Sequence, residues 1–178
     1  SHTLLVGAGL KMPTGKFRAL ENGLTINQNF QLGTGSTDVL LNAIYTVRHR
    51  NLGVNAEFTY AYNTTNRDEY KFGNTTRSGV TAFFLPWSGI SRAGKSQTAM
   101  VTLMPNIGVS LETFRDNHQY GDPFPESGGW ALHFNAGLEA YYGKVAVGAT
   151  YTRPAKQELF NGRVTAHERL SLHLTYLF

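Results

Sequence analysis

The histidines, one serine close to a histidine, and a set of acids and bases are the residues whose types support chemistry. The histidines are His2, His49, His118, His133, His167 and His173. No two have the close helical spacing that converges zinc ligands. Ser171 and His173 stand two apart, so on a strand they share one face. A serine hydrolase needs such a pair, and also a third group to orient the imidazole. No such group is identifiable. His133 and His173 can meet with Glu139 nearby, as a metal or proton site. Hydrogen-bonded filling of an interior is the more ordinary role of histidines without converging partners. The segment Lys11-Met12-Pro13-Thr14-Gly15-Lys16 fails as a phosphate loop: Leu10 stands where the first glycine is required, and Phe17 replaces the Ser or Thr that reaches magnesium. Gly33-Thr34-Gly35 lacks the third glycine of a dinucleotide fingerprint. Both read as turns. Asn63-Thr64-Thr65 and Asn74-Thr75-Thr76 match the glycosylation triplet, which Asn- and Thr-rich segments produce by chance. No catalytic activity, cofactor or metal is expected.

The elements that must position these residues are strands, because the hydrophobic period is two. Leu132, Phe134, Ala136, Leu138, Ala140 and Tyr142 fall on one face. Ala131, His133, Asn135, Gly137, Glu139 and Tyr141 fall on the other. The same alternation runs through residues 39–47, 54–62, 101–111, 145–151 and 170–178, with weaker versions at 4–12 and 70–85. That makes about eight strands, most near the ~9–11 residues that cross a bilayer when tilted. No window makes a convincing amphipathic helix. The connections sort by side. Gly143-Lys144 and Arg50-Asn51-Leu52 are short. Thr14–Ser36, Thr64–Glu69, Arg115–Gly129 and Pro154–Ala166 lie on the opposite side and are mostly longer. Short periplasmic turns and long outer loops are the outer-membrane pattern. Pro86–Ser96 departs from it, as a long connection on the short side.

Composition narrows the class further. The chain has 178 residues, about one domain, with 41% hydrophobic and 16% charged residues against roughly 25% charged in an average soluble domain. Aromatics at 12% argue against disorder, and the absence of cysteine excludes a disulfide scaffold. No apolar stretch approaches the ~20 residues of a spanning helix. The net charge of +4 is spread along the chain, with Arg48-His49-Arg50 the densest patch, so no nucleic-acid partner is expected. Ser1-His2-Thr3 runs into Leu4-Leu5-Val6 without the basic segment and cleavage site of a signal peptide, which reads as a mature, trimmed or partial chain.

The expected fold is all-β, an antiparallel transmembrane β-barrel in a single domain. Its apolar faces turn to lipid; a soluble barrel would turn them inward. Composition alone does not orient them. Strand length and the aromatics Tyr62, Trp130, Tyr142, Tyr151 and Phe178 near strand ends favour lipid. The lumen is then lined by Lys11, Arg48, Glu57, Arg77, Glu112, His133, Glu139, Arg169 and His173, with Asp38, Asn42, Asn55, Lys71, Asn106 and Asn135. Gly7, Gly9, Gly79, Gly108, Gly137 and Gly148 share that face. They leave room either for long neighbouring side chains or for a passage. The terminal strand, with Tyr176 and Phe178, resembles the assembly signal of outer-membrane barrels.

Two segments carry a family resemblance. Leu10-Lys11-Met12-Pro13-Thr14-Gly15-Lys16, then Gln31-Leu32-Gly33-Thr34-Gly35-Ser36-Thr37-Asp38, resembles the "MetA-pathway of phenol degradation"-like family of outer-membrane barrels, often labelled transporters. Tyr70-Lys71-Phe72-Gly73-Asn74 is similar to that family's turn into a strand. The similarity spans Leu4 to Phe178. In this motif Pro13 is expected to end a strand, and Gly15, Gly33 and Gly35 to supply positive φ in the loop before Asp38. Family members are longer, which implies the C-terminal portion of a barrel of about twelve strands; the eight strands can also close alone. The implied function is a channel or transporter for small molecules, hydrophobic or aromatic ones included, in the outer membrane of a Gram-negative bacterium. The implied partners are outer-membrane lipid and, through the C-terminal strand, the barrel-assembly machinery. Two alternatives stand beside it: a packed accessory barrel docked to envelope proteins, and a soluble ligand-binding barrel.

Overall fold

Val-, Thr- and Tyr-rich alternation favours pleated, half-covered surfaces, and strands are what form. The computed structural model describes residues 1–85 and 101–176. Eight long strands make one antiparallel sheet: β1 (His2–Lys11), β2 (Asp38–His49), β3 (Leu52–Tyr62), β4 (Thr75–Phe84), β5 (Thr102–Phe114), β6 (Gly129–Tyr142), β7 (Val145–Leu159) and β8 (Arg169–Tyr176). Each pairs with its neighbour in sequence, so the sheet is a meander. It curls into a half-barrel. β1 and β8 are its edges and do not pair with each other. Among the described residues the only helical element is the 3-10 turn Gln28–Phe30, and no helix is long and apolar enough to cross a membrane.

The two faces differ as the period-two pattern requires. Ile107, Phe134, Leu138 and Leu172 stand on the convex face and are exposed, Ile107 at 65% and Leu172 at 75%. Ser110, Ala131, His133 and Thr152 stand on the concave face and are buried. The apolar face is therefore the outer one. Phe84, Tyr142 and Tyr176 end β4, β6 and β8 on the side of the short turns, and each is an exposed convex-face aromatic.

Three expectations need correction. Pro154 does not open a loop: β7 continues through it to Leu159. His133 pairs with Pro154 and Leu132 with Lys156, which leaves Ala155 as the extra residue of a β-bulge. A bulge is where a strand tolerates the missing N–H of proline. Tyr151 consequently lies within its strand rather than near its end. Tyr70–Lys71 does not begin β4; it belongs to a small three-stranded sheet with His118–Gln119 and Asp122–Pro123. The Pro86–Ser96 connection and Phe178 lie outside the described residues.

The long connections fold together over one rim. Leu20–Glu21 and Leu24–Thr25 form a hairpin around Asn22-Gly23, both at positive φ. That is the two-residue turn whose twist suits a hairpin, with its favoured residues. Buried polar side chains then peg loop to loop. Asn66 donates to the Thr34 carbonyl at 2.9 Å and accepts from the N–H groups of Asp68 and Tyr70. Asn117 accepts from the Gly73 N–H at 2.8 Å, and its own N–H donates to Ser127 Oγ. On the opposite rim, Gly143-Lys144 and Arg50-Asn51 are turns of two residues between paired strands.

Candidate functional site

The concave face is built from positions that alternate with the apolar belt. Its glycines face longer residues across the strand pairs. Gly7 is opposite Asn42, Gly53 opposite Phe83, Gly79 opposite Glu57, Gly137 opposite Asn106 and Gly148 opposite His173. In each case the neighbour's side chain lies where a Cβ would project. Gly108 is likewise covered by Thr81. Of the two uses the sequence leaves open, these glycines serve the first: they are notches filled by neighbouring side chains. Gly9 differs, with only the Leu40 Cβ near, at 3.8 Å.

Onto this surface β3, β4, β5 and β8 project a connected line of charges. Arg169 Nη2 lies 3.0 Å from Glu112 Oε1, and Arg77 Nη1 lies 3.6 Å from the same oxygen. Arg77 Nε is 3.9 Å from Glu57 Oε1. Arg169 reaches across two intervening strands to meet Glu112, which the curl of the sheet allows; Ala131, beside Glu112 in register, is small and buried. Glu57, Arg77, Glu112 and Arg169 are thus brought together. Their side chains are partly open to solvent, where such pairs contribute only about 0–1 kcal/mol each. They order the surface more than they stabilise it.

Lower on the same face, Tyr141 donates to Glu139 Oε2, and His173 Nε2 is 4.0 Å from Glu139 Oε1. Between the two groups Asn135 donates to Ser110 Oγ at 3.0 Å and accepts from Thr152 Oγ1 at 2.9 Å, tying three strands. His133 is buried beside them at 3% exposure. Ser171 and His173 share this face with no hydrogen bond between them. Among the described residues no cluster of three His, Asp or Glu side chains is placed to hold a metal ion. The line of charges borders a concavity of about 510 Å³ whose wall includes Asn55, Arg77, Asn106, Glu139 and Arg169. Most of its lining residues carry donors or acceptors, and Ile44, Phe83 and Met104 add an apolar share. It can hydrate or hydrogen-bond a small solute.

Other expected residues lie elsewhere. Arg48 donates from Nε to the Arg50 carbonyl, at the short-turn rim and away from the charge line. Lys11 is at the opposite rim, where Nζ meets Asp38 Oδ2 at 2.8 Å and Thr34 Oγ1 at 2.9 Å. Asp38 is fully buried and also accepts from the Thr64 N–H, so it joins wall to loops. Lys71 does not line the lumen: it sits in the small loop sheet with its ammonium 4.9 Å from the Tyr62 ring centre.

The loop glycines are corrected too. Only Gly35 has positive φ, at 68°. Gly15 and Gly33 instead lie back to back, and a Cβ on either would strike the other's backbone. They permit close approach rather than an unusual backbone angle. Pro13 is exposed just beyond the end of β1.

The loops hold a second cleft. Arg18 and Asp68 form an ion pair there, and Gln28 Nε2 donates to Asp68 at 3.3 Å. The Arg18 guanidinium holds the Asp68 carboxyl below its ordinary value. Burial pushes the Tyr70 phenol up. Sequence reasoning missed Asn66 and Asn117 as the pegs of this region. Asn66 had a signal, since Asn-Arg-Asp-Glu is a turn sequence whose first side chain can bond its own backbone two residues on.

Compared with known proteins, the chain matches no family model, no curated protein and no solved structure.

Proposed function

We propose that this chain forms the wall of an outer-membrane β-barrel of a Gram-negative bacterium, a channel or transporter for small molecules. One observation carries the reading: the sheet is inside out for a soluble protein, with Leu, Ile and Phe on the convex face and amides and charges on the concave one. Lipid is the surrounding that such a convex face suits. The asymmetry of loop lengths supports the same orientation, as does the aromatic row Phe84, Tyr142 and Tyr176 at one rim. Unpaired strand edges are costly in hydrocarbon, so the wall closes on itself, either by β1 pairing with β8 or with further strands, about twelve in all as the family resemblance implies. The mixed concave wall, polar with Ile44, Phe83 and Met104 among its groups, suits small polar or amphipathic solutes. The family resemblance at residues 10–16 and 31–38 points to the same class.

The test is single-channel conductance and liposome swelling with the full-length protein. Flux of small solutes is expected. Glu112→Gln leaves Arg77 and Arg169 without their shared carboxylate and moves ion preference toward anions. Absence of any flux in both assays would sink the channel. A second reading, a packed accessory barrel bound to envelope proteins, is favoured by the filled glycine notches and paired charges. It expects membrane partition without flux. Partition into the aqueous phase without detergent counts against both.

A further inference from the structure

Four loop positions, Glu69, Tyr120, Glu126 and Phe160, hold residues at positive φ that such a backbone disfavours, and two of them lie side by side. Tyr120 and Gly121 are the central pair of the hairpin between His118–Gln119 and Asp122–Pro123, with φ of 55° and 90°. Such a turn wants Asn or Gly at its first central position. Asn22-Gly23 in the neighbouring loop follows that preference; Tyr120 does not. Residues Asn66 to Tyr70 form the second turn, in which the Asn66 N–H bonds the Tyr70 carbonyl and the Glu69 N–H bonds the Asn66 carbonyl. This is a three-residue hairpin loop, whose left-handed position calls for glycine. Glu69 occupies it at φ 54°.

These two exceptions meet. The Tyr120 N–H donates to the Glu69 carbonyl at 2.9 Å, and both residues line one cleft of about 480 Å³. The volume falls within the ~300–1,000 Å³ of small-molecule sites. Tyr120 is 69% exposed, a flat ring at the cleft surface. The side chains of Arg67, Glu69, Gln119 and Tyr120 make no hydrogen bond or ion pair among the described residues. Arg18 and Asp68 behind them are spent on each other. The frame is pegged by Asn66, while the groups displayed on it are unengaged.

We infer that this cleft binds a saccharide. An exposed aromatic face suits the apolar C–H face of a sugar ring. A guanidinium, a carboxylate and an amide supply the donors and acceptors that adjacent hydroxyls need. The unengaged charges, Arg67 and Glu69, cancel, which suits a neutral polyhydroxylated ligand better than a phosphate or a cation. The sugar has two natural sources, a membrane glycolipid or a soluble glycan. Binding of free sugars does not depend on the barrel reading; only the glycolipid source does.

The experiment uses the full chain in detergent micelles free of lipopolysaccharide. Saturation-transfer NMR and calorimetry are run with maltose, cellobiose and the neutral, phosphate-free outer-core hexose oligosaccharide of lipopolysaccharide. Binding of at least one probe is expected, weakened about tenfold or more by Tyr120→Asn and by Glu69→Gly. Both substitutions suit their turns, so thermal stability is expected unchanged or raised. Preference for the core oligosaccharide supports a membrane glycolipid; preference for the disaccharides supports a soluble glycan. No binding at millimolar concentration, or wild-type affinity in both variants, overturns the proposal.

Discussion

The wall and the loop cap are held together in opposite ways. In the wall, eight strands satisfy each other's backbones along continuous ladders, and side chains add cross-strand links such as Thr152–Asn135–Ser110. In the cap the regular pairing is two residues long at most, and a few buried polar groups, Asn66, Asn117, Ser127 and Asp38, carry the connections. On the proposed membrane reading the wall depends on what surrounds it, and the cap on what is inside it. A change of solvent tests the first; a change of one amide tests the second.

The largest effect is expected from Ile107→Arg. Ile107 is an exposed convex-face residue near the middle of the belt. In lipid an arginine there costs about 2–4 kcal/mol, whereas an exposed site in water usually moves stability within about 0.5 kcal/mol. Urea unfolding in lipid vesicles measures it. A change as small as the aqueous one breaks the contrast between wall and cap. Next is Asn117→Ala, which removes the acceptor of the buried Gly73 N–H. The expected cost is about 1–3 kcal/mol, confined to the loops. Faster amide exchange at residues 70–74 and 116–128, with β5 and β6 unchanged, is the sign of it; uniform loss of protection would mean that wall and cap unfold as one.

Two titrations give the smallest effects. The Asp68 carboxyl is depressed by Arg18, so its contribution is full above about pH 4 and fades as pH falls through the lowered value. The Tyr70 phenol is raised by burial, so its contribution is full below about pH 10 and fades as pH climbs through the raised value. Loop chemical shifts in the two pH ranges report both, and Asp68→Asn is expected to abolish the acid-side change only.

The wall was legible in the sequence because its rule is local. Leu132 to Tyr142 alternates without interruption, and so does β5, and each strand's two faces follow from counting by two. The rule stops at Pro154, where a residue that reads as a terminator is absorbed by a bulge at Ala155. That depends on the partner strand, which the pattern does not describe. The charge line was legible as a set of inward residues but not as a line, since Arg169 meets Glu112 only through the curl of the whole sheet. The cap was legible only as loops. Asn117 looks like any loop asparagine until Gly73, far away in sequence, arrives beside it. Gly15 and Gly33 were misread for the same reason: the space each needs is set by the other.

The filled notches have a bearing on how the strands find their alignment. Alternation of faces forbids a slip of one residue, which would turn every belt side chain inward, but it is indifferent to a slip of two. The glycines are not indifferent. Moving β8 by two positions against β7 would take His173 off Gly148 and set its ring against Ala146 or Thr150. Moving β2 against β1 would set Asn42 against Leu5 in one direction but over the open notch of Gly9 in the other, so that pair excludes only one of the two slips. Phe83, Glu57, Asn106 and His173 each meet one glycine and would meet none after a slip of two, so these pairs act together as teeth of a key.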